Sequence, residues 1–324
     1  MRLAEIPLSV WRKCGHDLVF RGQTIRYWVA GQGEPLLLIH GFPTASWDWH
    51  YMWQPLARQY RVIVCDMLGF GDSDKPRDHA YSLLWQADLQ QALLDHVQVR
   101  QPVHVMAHDY GDSVAQELLA RQGESCFNMA SCVFFNGGLF PEAHRPLKVQ
   151  RLLLGRLGWL MGRLFDRTSL DRDFSKTFGA NTRPSESELD DFWSLISASH
   201  GHHILNRLLR YIPERLEHRD RWVQAMQRTQ VPMRFINGAS DPIAGEHMVA
   251  RYCELIPTPD AVLLPDIGRY PHTEAPAQVL QHYEAFRSAV ARRQRSAVVR
   301  LAIQNSKPAN HPPALSSIIQ HASY

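Results

Sequence analysis

Short apolar runs alternate with helix-patterned segments along most of the chain. Two N-terminal runs, 17–21 and 24–30, are separated by Gly22 and predict a hairpin. Six later runs are almost continuously apolar, as in strands buried on both faces: 35–40, 60–66, 102–107, 131–136, 231–237 and 261–264. Helical spacing occurs between them, for example at 83–96 and 112–121. This alternation predicts an α/β fold with a mostly parallel central sheet and helices on both faces.

The pattern changes between residues 140 and 228, where tryptophans and arginines occur at helical spacing without a strand-like run. We therefore predict a helical cap over 140–228, inserted between a first core part at 1–139 and a second at 229–293. One amphipathic helix of this cap is predicted over 152–164, and a final core helix over 273–292. The remaining residues, 294–324, are basic and then rich in Pro, Ser and Asn, which predicts a mostly disordered tail.

The strongest candidate for catalytic chemistry is Asp109, which directly follows the run 102–107. Its neighbours two positions away, Ala107 and Gly111, are small, as a sharp strand-to-helix turn that presents a nucleophile requires. Such a turn places the side chain at the carboxyl end of the sheet and leaves the Tyr110 N–H free to stabilise negative charge. An aspartate here also suits a simple helix N-cap, so the assignment depends on neighbouring loops.

Three other loops follow predicted strands. The loop after 35–40 reads His-Gly-Phe-Pro, and the Phe42 N–H can supply a second donor to an oxyanion, although a merely rigid turn is the alternative. The loop after 60–66 contains Gly69 and Gly71, which predict tight packing beneath the elbow rather than catalysis. Asp241 follows 231–237, where a carboxylate that orients a catalytic base belongs.

Composition and charge narrow the function classes. Hydrophobic residues make up 45% and charged residues 21% of the 324 positions, and the net charge is +3, which suits a globular enzyme with a small-molecule substrate. The sequence has no basic stripe interleaved with aromatics, so we expect no nucleic-acid partner. No apolar run approaches the length of a membrane span, and no signal peptide is evident. The odd number of cysteines suggests reduced thiols, which predicts a cytoplasmic protein. We expect no cofactor and no metal; the oligomeric state is not encoded in any motif.

Five strings together closely resemble the α/β-hydrolase family in its aspartate-nucleophile branch, which contains epoxide hydrolases and haloalkane dehalogenases. They are HGFPTASWDW, DMLGFGDSDKP, AHDYGDSVAQELL, PEAHRPL and TRPSESEL. They resemble the mesoderm-specific-transcript subfamily and its bacterial relatives still more specifically. The resemblance extends over 17–292 and implies a two-step reaction. Asp109 attacks an electrophilic carbon to form an alkyl-enzyme ester, and a histidine oriented by Asp241 then activates water to hydrolyse it.

The resemblance also separates the two enzyme types. Dehalogenases typically hold the leaving halide with a Trp after the nucleophile and often an Asn at the position of Phe42, whereas this chain has Tyr110 and Phe42. Epoxide hydrolases polarise the epoxide oxygen with cap tyrosines, and Tyr211 lies at the spacing of one of them. The second has no match, and Tyr211 also suits the end of an amphipathic helix. The favoured activity is that of an epoxide hydrolase on a small-to-medium apolar substrate, with a dehalogenase-like hydrolase as the alternative.

The chain departs from the family at the catalytic base. The family reads Gly-His in the loop after the last strand, but this chain reads Gly268-Arg269, and an arginine cannot act as a base. His272 lies three residues later and would serve only if the loop is remodelled; His108 is another candidate. If neither serves, Arg269 pairs with Asp241 or Asp109, ester hydrolysis is impaired, and the chain is a hydrolase-fold binding protein.

Overall fold

The computed structural model describes residues 3–123 and 127–305, and its centre is an eight-stranded sheet of order β1-β2-β4-β3-β5-β6-β7-β8. The strands are β1 (His16–Phe20), β2 (Gln23–Ala30), β3 (Pro35–Ile39), β4 (Arg61–Cys65), β5 (Val103–His108), β6 (Met129–Phe135), β7 (Met233–Gly238) and β8 (Ala261–Leu264). Strand β2 is antiparallel to β1 and β4, and all other neighbours are parallel. The predicted mostly parallel α/β sheet is confirmed.

The sequences of the strands explain their positions in the sheet. Every residue of β3 and β5 is buried, whereas edge strand β1 has alternating exposed and half-buried positions. Continuous apolar runs suit strands covered on both faces, and each fully buried Leu or Ile stabilises the fold by about 1.5–3 kcal/mol. Because β3, β5, β6 and β7 are parallel neighbours, the loops after them meet at one edge of the sheet.

Helices and 3₁₀ turns connect the strands. The helices are α1 (Leu8–Lys13), α2 (Trp53–Ala57), α3 (Leu83–His96), α4 (Tyr110–Ala120), α5 (Lys148–Leu154), α6 (Gly158–Leu164), α7 (Arg167–Thr177), α8 (Glu186–Ser197), α9 (Leu205–Leu208), α10 (Tyr211–Glu217), α11 (Arg219–Arg228), α12 (Glu246–Leu255), α13 (Pro271–Glu274) and α14 (Pro276–Asn305). Among the described residues, no helix is both long and apolar enough to cross a membrane.

Between β6 and β7 the described chain forms helices α5–α11 and 3₁₀ turns, over the residues where a cap is predicted. The single helix predicted over 152–164 is wrong, because two helices are separated by an extended Gly155 with ψ 175°. The break also brings Gly158 so close to α5 that a Cβ there would lie 1.8 Å from the Leu153 carbonyl oxygen. A side chain at Gly158 would therefore prevent this arrangement.

The last helix is longer than predicted. Helix α14 continues to Asn305, so the expectation of a disordered tail is wrong for 294–305. Alanine, leucine, arginine and glutamine in this stretch favour a helix, and this preference outweighs the basic composition. Residues 306–324 lie outside the described part of the chain. The chain divides into two compact units, and the candidate site lies within the first, Met1–Tyr283.

Candidate active site

Asp109 lies in a sharp turn between β5 and α4. Its backbone has φ 50° and ψ −102°, a conformation that non-glycine residues rarely adopt and that is maintained only when the surroundings enforce it. The Asp109 N–H donates to the Phe135 carbonyl oxygen at 3.0 Å. Gly111 permits the turn, because a Cβ there would lie 2.7 Å from the carbonyl oxygens of Ile39 and His40. The strand-to-helix turn predicted from the spacing of small residues is present.

The loop after β3 reaches the carboxylate of Asp109. The Phe42 N–H donates to Asp109 Oδ2 at 3.2 Å. Gly41 makes this approach possible, since a Cβ there would lie 2.4 Å from His108 Nδ1 and 3.0 Å from the Asp109 Cβ. Tyr110 is the first residue of α4, where a backbone N–H has no partner within the helix. Both predicted oxyanion donors thus belong to residues that adjoin Asp109.

Arg269 joins the two carboxylates of the site. Its Nη1 donates to Asp241 Oδ2 at 3.0 Å, and its Nη2 forms an ion pair with Asp109 Oδ1 that lacks the geometry of a hydrogen bond. Burial alone would lower the pKa of Arg269, but the charges of Asp109 and Asp241 raise it above its usual value. A permanent cation therefore lies where the family pattern predicts the histidine base.

Glu274 fixes the loop that carries Arg269. Its Oε2 accepts the N–H groups of Gly268 and Gly179, and its Oε1 accepts the N–H of Tyr270, all at 2.8–2.9 Å. The Arg269 N–H donates to the Thr177 carbonyl oxygen at 2.7 Å. The position of the guanidinium is thus set by the loop backbone as well as by its partner carboxylates.

Asp241 has three donors. Besides Arg269, Asn136 Nδ2 donates to Oδ2 at 3.1 Å and the Ile243 N–H donates to Oδ1 at 2.9 Å. Asn136 directly follows β6, has φ 47°, and also accepts the Gly238 N–H at 2.8 Å. Sequence reasoning did not identify Asn136, although a polar residue directly after a buried strand was an available signal.

Arg215 is a second buried cation at Asp109 that sequence reasoning missed. Its Nη2 donates to the Asp109 carbonyl oxygen at 2.7 Å and lies 3.7 Å from Asp109 Oδ1. Its Nε donates to Ser113 Oγ at 2.6 Å, while Nη1 has no hydrogen-bond partner among the described residues. The only local signal was its position four residues after Tyr211, on the same side of a helix. Two guanidinium groups therefore flank one carboxylate.

Tyr211 lies close to this charged group. Its ring centroid is 5.0 Å from that of Tyr110 and 6.0 Å from that of Phe42, and the Arg215 guanidinium carbon lies 4.4 Å from it. The hydroxyl has no hydrogen-bond partner in the described structure. Burial, and secondly the charge of Asp109, raise the pKa of Tyr211 above its usual value. The phenol therefore keeps its proton and is available as a donor.

His272 does not occupy the place of a base. Its ring lies 4.4 Å from that of Trp49 and 4.5 Å from that of His108, and neither of its nitrogens is hydrogen-bonded to a described residue. Burial, and secondly His108, lower its pKa well below the usual value. The structure thus contains no hydrogen bond from His272 to Asp109 or Asp241.

His108 is bound to the backbone of the Arg269 loop. Its Nε2 lies 2.9 Å from the Arg269 carbonyl oxygen, to which it must donate, and its Nδ1 lies 3.9 Å from Asp48 Oδ2. Asp48, His108 and His272 place one potential metal-ligand atom each within 4.8 Å of the others. Ligands of tetrahedral zinc are about 3.4 Å apart, so the three would have to move closer together to hold an ion.

The glycine-containing loop after β4 has a packing role. Asp66 accepts the N–H groups of Ser46 and Asp72 at 2.8 and 2.7 Å. A Cβ at Gly71 would lie 2.1 Å from Asp66 Oδ2, and one at Gly69 would lie 2.7 Å from the Tyr81 ring. These close approaches agree with the structural role predicted for both glycines.

An apolar cavity of about 60 Å³ opens beside Arg269. Most of its wall consists of apolar side chains, among them Phe42, Leu147, Leu153 and Phe165. Among the described residues, Arg269 is the one arginine that lines the cavity, and Asp109 is not part of the wall. A ligand in this space would therefore contact the guanidinium before it reached the carboxylate of Asp109.

Comparison with known proteins agrees with the mostly parallel α/β sheet. The family described as having the alpha/beta hydrolase fold matches residues 34–276. The chain belongs to this family. The mesoderm-specific transcript homolog protein of Homo sapiens is 40% identical to this α/β hydrolase over 292 residues, which cover 86% of this chain and 87% of that protein. The resemblance inferred from the five strings is thereby confirmed.

Two further similarities are more distant. The cis-3-alkyl-4-alkyloxetan-2-one decarboxylase of Shewanella oneidensis is 26% identical to this α/β hydrolase over 286 residues, covering 84% of this chain and 87% of that protein. The solved structure of the epoxide hydrolase CorEH without ligand has a TM-score of 0.71 at 20% identity, covering 85% of this chain and 99% of that one. At this identity the structural likeness shows the fold alone.

Proposed function

We propose that Asp109 is the nucleophile of an α/β hydrolase that attacks an electrophilic carbon of an apolar, epoxide-like substrate and forms an alkyl-enzyme ester. The observation that carries the proposal is the strained turn that presents Asp109 with the Phe42 N–H on Oδ2. Backbone strain of this kind is typical of functional residues. A carboxylate suits attack at a saturated carbon, where the bond to the leaving oxygen breaks as the new C–O bond forms.

The second step, hydrolysis of the alkyl-enzyme ester, is impaired in this proposal. Hydrolysis of the ester requires a group that removes a proton from water, and Arg269 cannot do so. Asp241, which would orient a histidine, is already bound by Arg269 and Asn136. We therefore expect the ester to form and then persist, so that the chain acts as a very slow hydrolase or a single-turnover binder.

The apolar cavity supports a small-to-medium hydrophobic substrate, and Tyr211 supports an oxygen leaving group. The Tyr211 phenol can donate its proton to the oxygen that is released when an epoxide opens. A leaving halide has less support, because neither Phe42 nor Tyr110 offers a side-chain indole or amide N–H. A dehalogenase-like activity therefore remains the weaker alternative.

The test is the mass of the intact protein after exposure to styrene oxide, followed by peptide mapping. We expect the mass to increase by one epoxide and the modification to map to Asp109. Asp109→Asn is the inactive control, and Asp173→Asn removes a carboxylate of the cavity wall that has no assigned chemical role. A wild-type protein that gains no mass, or gains it equally in Asp109→Asn, would show that Asp109 is not a nucleophile.

A second candidate is decarboxylation of a four-membered lactone, the reaction type in the name of the Shewanella relative. The observation in its favour is that two fixed cations, Arg269 and Arg215, flank Asp109. A lactone releases a carboxylate, which needs cations rather than a proton donor. An epoxide releases an alkoxide, for which Tyr211 would be the proton donor.

The steps balance without water. Asp109 attacks the ring carbon bonded to the ring oxygen, and the breaking C–O bond leaves its electron pair on a new substrate carboxylate. The bond from the neighbouring carbon to this carboxylate then breaks and releases CO₂. Its electron pair forms the alkene while the ester C–O bond returns its own pair to Asp109. Inversion followed by anti elimination keeps a cis lactone as a cis alkene.

This candidate is tested with a cis-dialkyl oxetanone in heavy-oxygen water. Release of CO₂ and cis alkene, with no heavy oxygen incorporated into Asp109, would support decarboxylation. A hydroxy acid together with heavy oxygen in Asp109 would mean ester hydrolysis instead. A persistent adduct would support the hydrolase with an impaired second step.

A further inference from the structure

The α5–α6 segment exposes an unusual amount of apolar surface. Six large apolar side chains within 13 residues are between 36% and 65% exposed, and we call them the α5–α6 patch: Leu152, Leu154, Leu157, Trp159, Leu160 and Leu164. Elsewhere in the described chain, only Val10, Val19 and Leu216 are exposed large hydrophobics. Scattered exposed apolar residues are ordinary, but a concentrated patch indicates a surface that meets an apolar phase or partner.

Within residues 144–165, the charged side chains all have one sign. Residues 144–165 contain five basic residues and no Asp or Glu: Arg145, Lys148, Arg151, Arg156 and Arg163. All five are exposed, and none forms an ion pair with a described residue. The Arg163 guanidinium carbon lies 5.3 Å from the Trp159 ring centroid, a cation–π contact at the surface. Exposed apolar side chains next to unpaired cations are complementary to a surface with an apolar interior and anionic groups on its outside.

The buried side of the same segment forms part of the cavity wall. Leu147, Val149, Leu153 and Phe165 line the cavity that contains Arg269. Leu153 is 4% exposed, while its neighbours Leu152 and Leu154 belong to the patch. Only the thickness of one helix, α5, therefore lies between the exposed patch and the cavity beside Arg269.

We propose that the α5–α6 patch docks onto the anionic face of a lipid bilayer, with its apolar side chains in the interfacial region and its arginines at the headgroups. Short amphipathic helices rich in Leu, Trp and Arg bind bilayers in this manner, without crossing them. The cations attract anionic headgroups, and tryptophan prefers the interface. Resting on the proposed function, we further infer that lipophilic substrates pass from the bilayer to the cavity past α5.

A bilayer is the occupant that the charge pattern favours. Anionic lipids can move to match five dispersed cations, whereas a second copy of the chain would bring the same five cations into contact with them. Like charges at an interface oppose association. A self-association surface is therefore an outcome that the test must detect, and so is an acidic protein partner.

The test is co-sedimentation of the full chain with vesicles of phosphatidylcholine, with and without phosphatidylglycerol. We expect at least tenfold stronger binding to the anionic vesicles and a marked decrease on raising the salt concentration. Trp159→Ser combined with Leu157→Ser should reduce binding at least tenfold. The control is Val19→Ser, which replaces an apolar residue on edge strand β1 that is even more exposed than Leu157 and Trp159. Arg156→Gln with Arg163→Gln should lower binding to anionic vesicles only.

Several results would overturn the proposal. Wild-type protein that binds neither vesicle type, or patch variants that bind like Val19→Ser, would exclude membrane docking. Concentration-dependent dimers that the Trp159→Ser and Leu157→Ser variant abolishes, without vesicle binding, would identify the patch as an interface between copies. Capture of an acidic peptide in preference to vesicles would identify a protein partner. Equal unfolding midpoints are required of all variants, and any variant that fails this control is replaced by Leu164→Ser.

Docking and chemistry can fail separately. Asp109→Asn should bind vesicles like the wild type, since Asp109 is buried and takes no part in docking. The Trp159→Ser and Leu157→Ser variant should be alkylated by soluble styrene oxide at the wild-type rate, within twofold. Slower alkylation by this soluble probe would mean that the patch shapes the active site, which contradicts a docking role.

Discussion

At the residue scale, the cations around Asp109 define the site. Arg269 binds Asp109 and Asp241 from one side, and Arg215 binds the backbone and carboxylate of Asp109 from another. Two positive and two negative groups neutralise one another in a buried space. Attack by Asp109 would turn its carboxylate into a neutral ester and leave the guanidinium groups with an excess positive charge. The oxygen leaving group of the substrate would then replace the lost negative charge.

The first residue-scale prediction concerns Arg215. Arg215→Lys keeps the charge but loses the planar guanidinium, in which two separate nitrogens donate to the Asp109 carbonyl oxygen and Ser113 Oγ. Losing a charged hydrogen bond costs about 1.5–3 kcal/mol, so alkylation of Asp109 should slow by about 10- to 100-fold. The measurement is the rate of epoxide adduct formation by mass spectrometry. Ser113→Ala is the companion variant, and an unchanged rate in Arg215→Lys would show that Arg215 does not position the nucleophile.

The second prediction concerns His272. Its pKa is well below the usual value because the ring is buried, so it remains neutral in the folded chain while the unfolded chain binds a proton below about pH 6.5. The wild type therefore loses the stability due to this group as the pH falls below about 6.5. In His272→Phe that loss is absent, and the variant should gain up to about 1.4 kcal/mol relative to the wild type per pH unit below 6.5.

Denaturant titrations of the two proteins between pH 7.5 and 5 provide the measurement. Parallel stability profiles would refute the assignment of His272 as a buried neutral ring. The same variant separates two roles, because a His272 that acts as the base would make the alkyl-enzyme ester of His272→Phe longer-lived. The geometry predicts an unchanged lifetime.

Most residues of the candidate site could be predicted from the sequence. Asp109, Phe42, Asp241 and the unexpected Arg269 all follow strands whose ends meet at one edge of the sheet, so local motifs suffice to place them. Arg215 could not be predicted, since its contact with Asp109 joins positions 106 residues apart. Such a contact depends on how the helices between β6 and β7 pack over the core, which no local pattern encodes.

At the scale of the elements, the turn between β5 and α4 depends on Gly111. Gly111→Ala would place a methyl group 2.7 Å from two carbonyl oxygens and 2.9 Å from Ile39 Cγ2. Overpacking of this kind typically costs about 1–3 kcal/mol. We expect that loss in denaturant unfolding, together with slower alkylation of Asp109 because α4 must move. Gly123→Ala is the control, since no atom lies within 4 Å of its added Cβ; it retains only the cost of its positive φ.

Element boundaries were predictable to different degrees. Parallel strands were found because continuous apolar runs have few other structural solutions. The break between α5 and α6 was missed because the apolar spacing continues across Gly155, and only the close approach at Gly158 explains two helices. The length of α14 was missed for the opposite reason, since basic composition masked good helix formers.

At the scale of the whole molecule, substrate access and turnover are separable properties. The segment that forms the α5–α6 patch also lines the cavity, so its position relative to a bilayer would determine which compounds reach Arg269. The chemistry that follows depends on the edge of the sheet where β3, β5, β6 and β7 end. In the proposed mechanism, Arg269, which follows β8, decides whether an ester formed on Asp109 is released.

The lifetime of this ester is therefore the decisive measurement of what Arg269 does at the site. Wild type and Arg269→His are alkylated with styrene oxide, separated from excess reagent and followed by intact mass over time. We expect an adduct that persists in the wild type and disappears at least 100-fold faster in Arg269→His, because a histidine bound to Asp241 can activate water. Equal lifetimes, or rapid release of the diol by the wild type, would contradict the claim that Arg269 stands in place of the base.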